Sequence, residues 1–280
     1  MSCADAKADN QAHWDLMAPR WKAWWYRYGP ASQPVSDYLV QQAGLLPGAR
    51  VLDLATGMGE PALSFARAVG PGGEVLGIDQ SVEMIKYACE MAADAGLANL
   101  RFEVQDVEQL ELPGEAPFDA LVSRWGLMFC TDVVATLANA RRYLAVGGRL
   151  LAAVWSRPEE VPMLELAGSV IQETLGIELT RPGPGPFTLA DPDYLAQVLE
   201  AGGFRLERLE KVDVVLPCDS AQHYLLDRAS ISPLLEDVLA RLSPEQRTRY
   251  DEALEVAIDP WRQGDAIALV NKAICVVAKG

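Results

Sequence analysis

Three aspartates recur at even intervals in the first half of the chain: Asp53, Asp79 and Asp106. Asp53 lies within a short apolar run, and Asp79 and Asp106 each close one. A carboxylate at the end of such a run accepts hydrogen bonds, and two of the three have natural partners. Asp79 suits a pair of ribose hydroxyls and Asp106 an exocyclic adenine amine. Between the first two lies "LDLATGMGEPA", which sets Gly57, Gly59 and Ala62 at the spacing G-x-G-x-x-A. Glycine there lets backbone approach a ligand and aims helix N–H groups at it. That loop alone also fits a dinucleotide site. Asp53 separates the two, because it stands four residues before Gly57, where nicotinamide-binding chains run apolar. An acid there suits a ligand with an amino group and a sulfonium, which is S-adenosylmethionine.

These groups need strands to carry them. "RVLDLAT" (50–56), "EVLGID" (74–79), "LRFEVQD" (100–106), "FDALVS" (118–123) and "GRLLAAVW" (148–155) read as strands, alternating with helical stretches. Such alternation builds a parallel sheet, and ligands bind beyond its carboxyl edge. Glu60 and Pro61 open the first helix and Gly70 ends it; Ser81 caps the second and Gly96 stops it. "DPDYLAQVLEAGGF" is a later helix, leading to the strand "RLERLEKVDVVLP", and "AIALVNKAICVVAKG" reads as the last strand. Two insertions interrupt the scheme, 156–187 with the stiff "RPGPGPF" and 218–265, largely helical. The fold class is therefore α/β, a doubly wound, mostly parallel seven-stranded sheet with helical lid insertions.

The pieces "VLDLATGMGEPALSFA", "VLGIDQSVEMI", "DVEQLELP", "FDALVSRWGLMFCTD", "YLAVGGRLLAAVW" and "GPFTLADPDYLAQVLEAGGF" run in order from residue 45 to residue 204. In them the chain resembles class I S-adenosylmethionine-dependent methyltransferases, in the branch of the ubiquinone and menaquinone biosynthesis enzymes. The resemblance implies that Gly57 and Gly59 face the methionine part, Asp79 the ribose, and Asp106 with Val107 the adenine. Asp53, Ala55, Gln80, Met84 and Ser123 complete the implied cofactor contacts, while Arg124 borders the substrate side. Ala55 and Thr56 stand where relatives often carry Gly and Cys, and "VPM" after Glu160 replaces an "NPW"-like piece. The implied organisation is a helical lid over 1–45, a cofactor-binding core over 46–155, an insertion over 156–190, and the rest of the sheet over 191–280.

Methyl transfer from a sulfonium is an in-line displacement on an activated carbon, so positioning and exclusion of water supply much of the rate. A base is required only for a phenol, an enol or a protonated amine. His223, in the insertion expected to cover the site, is the first candidate and His13 the second; Asp15, Glu60 and Tyr224 are alternatives. Arg124, Trp125 and Trp155 fall at the edge where an acceptor would sit. In "WKAWWYRYGP", Trp21, Trp24 and Trp25 could line that acceptor pocket or pack on the sheet. Trp14, Met17, Trp21, Trp24 and Tyr28 make one helical stripe. Pro19 is expected to split it into two short helices, with Gly29 and Pro30 ending the second.

The composition narrows the partners. A formal net charge of −15 repels polyanions, so nucleic acid and anionic membranes are poor partners, and neither nucleic-acid binding nor membrane insertion is expected. No apolar run reaches a membrane-spanning length, and the N-terminus lacks a signal-peptide layout, so a cytoplasmic protein is expected. Five cysteines scattered singly and two histidines support neither a disulfide framework nor a metal site; the thiols are expected to be buried. The expected activity is methyl transfer to O, N or C of a small apolar or aromatic molecule, secondary-metabolite or quinone-like, by a monomer or homodimer. The alternatives are an S-adenosylmethionine-binding protein that does not methylate, a cyclase or regulatory subunit, and a nicotinamide-dependent oxidoreductase.

Overall fold

The computed structural model describes residues 3–180, 183–264 and 266–280. Five strands run parallel: β1 (Arg50–Leu54), β2 (Glu74–Asp79), β3 (Leu100–Val104), β4 (Phe118–Arg124) and β5 (Leu144–Trp155). Two long strands, β6 (Arg205–Cys218) and β8 (Ala266–Lys279), complete the order β3-β2-β1-β4-β5-β8-β6, with β8 antiparallel to both neighbours. The expected seven strands are all on this path. The eighth is a two-residue arm, β7 (Arg262–Gln263), which pairs with the start of β8 around Gly264 at φ 63°. Asp265, the expected end of the second insertion, lies outside the described residues, as do Arg181 and Pro182 of the "RPGPGPF" stretch.

Strand β1 lies in the middle of the sheet, so Val51 to Leu54 are all buried, Asp53 included. That is why its sequence is a nearly continuous apolar run rather than an alternating one. Strand order reverses between β1 and β4, and a crevice at such a switch point is where an open α/β sheet takes its ligand.

The helices start where the sequence supplies a cap. Ser81 opens α3 (Val82–Asp94), Asp132 opens α4 (Val133–Arg141), and Asp191 opens α6 (Pro192–Ala201), each accepting from an N–H of the first turn. Helix α2 (Ala62–Val69) follows the cis Glu60–Pro61 bond. The first insertion forms α5 (Pro162–Leu175). The second forms α7 (Ala221–Ser230), α8 (Pro233–Arg241) and α9 (Pro244–Ile258), each opened by a serine cap. Buried polar bonds fix these helices to one another and to the sheet. The Tyr224 hydroxyl donates to Pro162 O and accepts from Ala167 N, while Asn271 Oδ1 accepts from Met163 N at 2.8 Å.

The N-terminal segment departs from expectation. It is one continuous 41-residue helix, α1 (Cys3–Ala43), with Pro19, Pro30 and Pro34 inside it. An internal proline costs a helix about 3 kcal/mol. Here all three prolines are exposed, whereas Met17, Ala18, Trp24, Tyr28, Ser32, Val35, Ser36 and Leu39 form a buried stripe against the body. Burial at about 25 cal/mol per Å² offsets the lost hydrogen bonds, so tertiary packing overrides the breakers. Gly29 does not terminate the helix either. A Cβ there would come within 3.0 Å of the Trp25 indole, so the glycine gives that ring its place.

Candidate functional site

A cavity of about 730 Å³ opens at the carboxyl ends of β1, β2 and β4 and extends under α1, α5 and the α7–α8 turn. Its first end is built from backbone. Ala55 and Gly57 both sit at φ 56°, Gly59 at φ 102° and Trp125 at φ 60°, so the turns after β1 and β4 bend sharply away from the sheet. A side chain at Gly57 would meet nothing within 4 Å, because that position faces open cavity. At Gly126 a Cβ would lie 2.5 Å from that of Ala55; the two turns touch, and only glycine fits there beside the alanine.

Asp79, at the end of β2, reaches this floor. Its Oδ2 accepts from Gly57 N at 2.9 Å and its Oδ1 from Ser81 N at 2.9 Å, and the residue lines the cavity. Burial pushes its pKa up to about 6 against those backbone donors. Gln80, Met84, Asp106 and Val107 line the same end, with Asp106 also capping a short turn through Glu108 N. Ala18, Met58 and Met84 close the floor beneath Trp14, Trp21 and Trp25.

Three expected cofactor contacts stand behind the wall instead of in it. Asp53 is wholly buried and does not line the cavity; its Oδ2 accepts from Thr56 Oγ1 at 2.6 Å and Ala62 N at 3.1 Å. It therefore braces the glycine turn from behind the cavity lining, with its Oδ1 meeting no partner among the described residues. Burial pushes its pKa up to about 7. The Ser123 hydroxyl donates to Leu54 O at 2.8 Å, tying β4 to β1, and Gly59 faces Phe102 and Leu63 in the sheet packing.

The other end is aromatic. Trp125 stacks on Trp155 with centroids 4.4 Å apart, and both line the cavity with Trp21, Trp25 and Tyr28. Trp24 does not. It is buried and stacked on Tyr28 at 4.9 Å, so its role is packing, contrary to the substrate contact expected of it. Arg124 is held by the hydroxyls of Ser32 and Ser36 and by the Trp125 ring 4.9 Å away, and burial holds its guanidinium below the ordinary range. Arg124 Nε and Trp125 Nε1 meet no acceptor among the described residues.

The two histidines separate. His13 lines the cavity, edge-on to Trp14 at 5.6 Å. His223 lies outside the lining, its Nε2 2.7 Å from Arg27 and its Nδ1 2.7 Å from Asp219, in a cluster that ties α7 to α1. A base must reach the proton it takes, so the expectation for His223 is corrected. Tyr224 and Asp15 are likewise spent on structure, Asp15 accepting from Ser81 Oγ at 2.6 Å, while Glu60 does line the cavity. Sequence reasoning missed Glu165 and Arg228, which face the cavity from α5 and α7. A charged residue on an amphipathic helix carries no signal of which way it points. Gly183 to Pro186 form part of the rim. Of the thiols, Cys218 and Cys275 are buried as expected, but Cys89 is exposed.

An open sheet of this strand order, with an acidic, glycine-turned crevice at its switch point, is the Rossmann-like methyltransferase fold. A methyltransferase-domain family model matches residues 45–175. The chain is 31% identical over 178 residues to the ubiquinone/menaquinone biosynthesis C-methyltransferase UbiE of Shewanella halifaxensis, covering 60% of this chain and 70% of that protein. It is 36% identical over 123 residues to UbiE of Teredinibacter turnerae, covering 44% of this chain and 49% of that protein. The structure of magnesium protoporphyrin IX methyltransferase from Synechocystis superposes over 98% of this chain and 99% of that one, with TM-score 0.60 and 15% identity. The chain belongs to the class I S-adenosylmethionine-dependent methyltransferases, in the UbiE-like branch.

Proposed function

We propose that the chain transfers the methyl group of S-adenosylmethionine to a small, largely apolar acceptor lying against the Trp25, Trp125 and Trp155 wall. The observation that supports this most directly is a single cavity with Asp79 and Asp106 at one end and stacked indoles at the other. The residues at the first end fit the cofactor. Asp79 would take the ribose hydroxyls, Asp106 and Val107 the adenine edge, and the open face of Gly57 leaves room for the methionine part. When bound, S-adenosylmethionine supplies a methyl group already activated by its sulfonium.

The chain's own contribution is positioning. The braced turn over Asp53 and Thr56 fixes one reactant, and the indole wall, closed above by α1, holds the other and excludes water. His13 and Glu60 are the groups available to take a proton from an acceptor that must lose one.

The test is calorimetric titration of S-adenosylhomocysteine into wild type and Asp79→Ala, followed by a search for S-adenosylhomocysteine formation with phenolic, quinol and amine acceptors. Equal affinity of the two proteins would overturn the cofactor placement. Tight binding with no turnover on any acceptor would favour a binding role over transfer.

A further inference from the structure

On the side of the cavity away from the β2–β3 edge, two charged side chains face inward: Glu165 from the first turn of α5 and Arg228 from the last turn of α7. Arg228 Nε donates to Leu164 O at 3.1 Å. Among the described residues, its two terminal nitrogens meet no acceptor and no carboxylate lies within ion-pair distance. The neighbouring cations are placed differently. Arg27 has Asp227 at 3.3 Å and Asp219 at 3.6 Å, and Arg124 has serine hydroxyls and two indole faces. Arg228 is half-buried beside Leu164 and Ile231, and burial holds its guanidinium below the ordinary range. A half-buried guanidinium that lines a cavity with its terminal nitrogens unspent is placed to bind an anion there.

We propose that Arg228 receives a carboxylate of the methyl acceptor, so that the substrate is a small aromatic or apolar monocarboxylic acid. This rests on the methyltransferase reading of the same cavity. The forked guanidinium matches a carboxylate in two parallel hydrogen bonds, and the indole wall takes the apolar body. Glu165 sets the charge limit. It is near enough to Arg228 for their charges to interact, so a second negative charge, as on a phosphate ester, would be opposed. On a chain of net charge −15, a cavity cation outside any ion pair favours the entry of an anion.

The probes are a matched pair, 2-naphthoate and 2-naphthamide, alike in shape and different in charge. Each is titrated into the full chain saturated with S-adenosylhomocysteine, with binding followed by quenching of tryptophan emission. Wild type is expected to prefer naphthoate by about tenfold or more, the range of a charge-assisted hydrogen bond. Arg228→Gln should abolish the preference, and Glu165→Gln should strengthen naphthoate binding while leaving naphthamide unchanged. The glutamate variant also tests the proposal if the arginine variant does not fold. Equal binding of the two probes, no binding of either, or a preference that survives Arg228→Gln overturns the proposal. The methyltransferase reading has its own readout in the same samples. If S-adenosylhomocysteine binds and the probes show no preference, only the carboxylate seat fails; if S-adenosylhomocysteine does not bind, both fall.

Discussion

The two ends of the cavity are built on different principles. At the Asp79 end, the parts come from the ends of adjacent parallel strands and from turns of a few residues, and main-chain groups do most of the work: Gly57 N and Ser81 N hold Asp79. At the indole end, the parts come from α1, β4, β5, α5 and α7, which are far apart in sequence, and side chains do nearly everything. A site made of backbone tolerates few sequences, and so it can be recognised in one. A site made of side chains on separate helices can be rebuilt without moving the first, which is how one cofactor fold serves many acceptors.

Four measurements would break or sharpen this contrast. The largest effect is expected at Trp24, which belongs to neither end. Trp24→Ala should cost about 3–5 kcal/mol of stability by denaturant unfolding, with S-adenosylhomocysteine affinity unchanged in the protein that remains folded. Next comes Asp79→Ala, which removes two charge-assisted contacts to a ribose and should weaken S-adenosylhomocysteine by about 100-fold in calorimetry, at little cost in acceptor binding.

Trp25→Ala should act the other way round. It is expected to weaken binding of an apolar acceptor such as 2-naphthoate by about tenfold while leaving S-adenosylhomocysteine nearly untouched, since aromatic contacts of this kind are worth about 1 kcal/mol beyond area. A matching loss of cofactor affinity would show that the two ends are not separable.

The fourth measurement is a pH dependence at Asp53. Its folded pKa, raised to about 7, lies above the ordinary carboxylate value, so the folded state holds this proton more tightly than the unfolded chain. The stability it contributes is present at low pH and is lost as pH rises from about 4 through about 7. Asp53→Asn, which mimics the protonated form, should gain on wild type in melting temperature across that window. A gap that stays constant with pH would mean that Asp53 is ionised in the fold.

The aromatic segment shows where reading the sequence stopped. Its helical stripe was legible, with Met17, Trp24 and Tyr28 on the buried face as the spacing predicts. Its continuity was not, because prolines at exposed positions and a glycine beneath Trp25 look like breakers until the body they pack against is known. The same limit applies to His223, chosen for its place in a covering insertion and found tied to Arg27 and Asp219. It applies equally to Trp24 and Trp25, adjacent in sequence and turned to different surroundings.

By itself the sequence determined the alternation of strands and helices, the glycine turn, and the acids Asp79 and Asp106 at the strand ends. These are local features, set by propensity, capping and the backbone geometry of one βα unit. Only the tertiary structure decided that Asp53 and Ser123 brace the site from behind, that Trp125 and Trp155 stack into its wall, and that Glu165 and Arg228 face the cavity. Each of those depends on which way a side chain points once distant elements pack, and that is settled by burial across the whole molecule, which no short stretch of chain encodes.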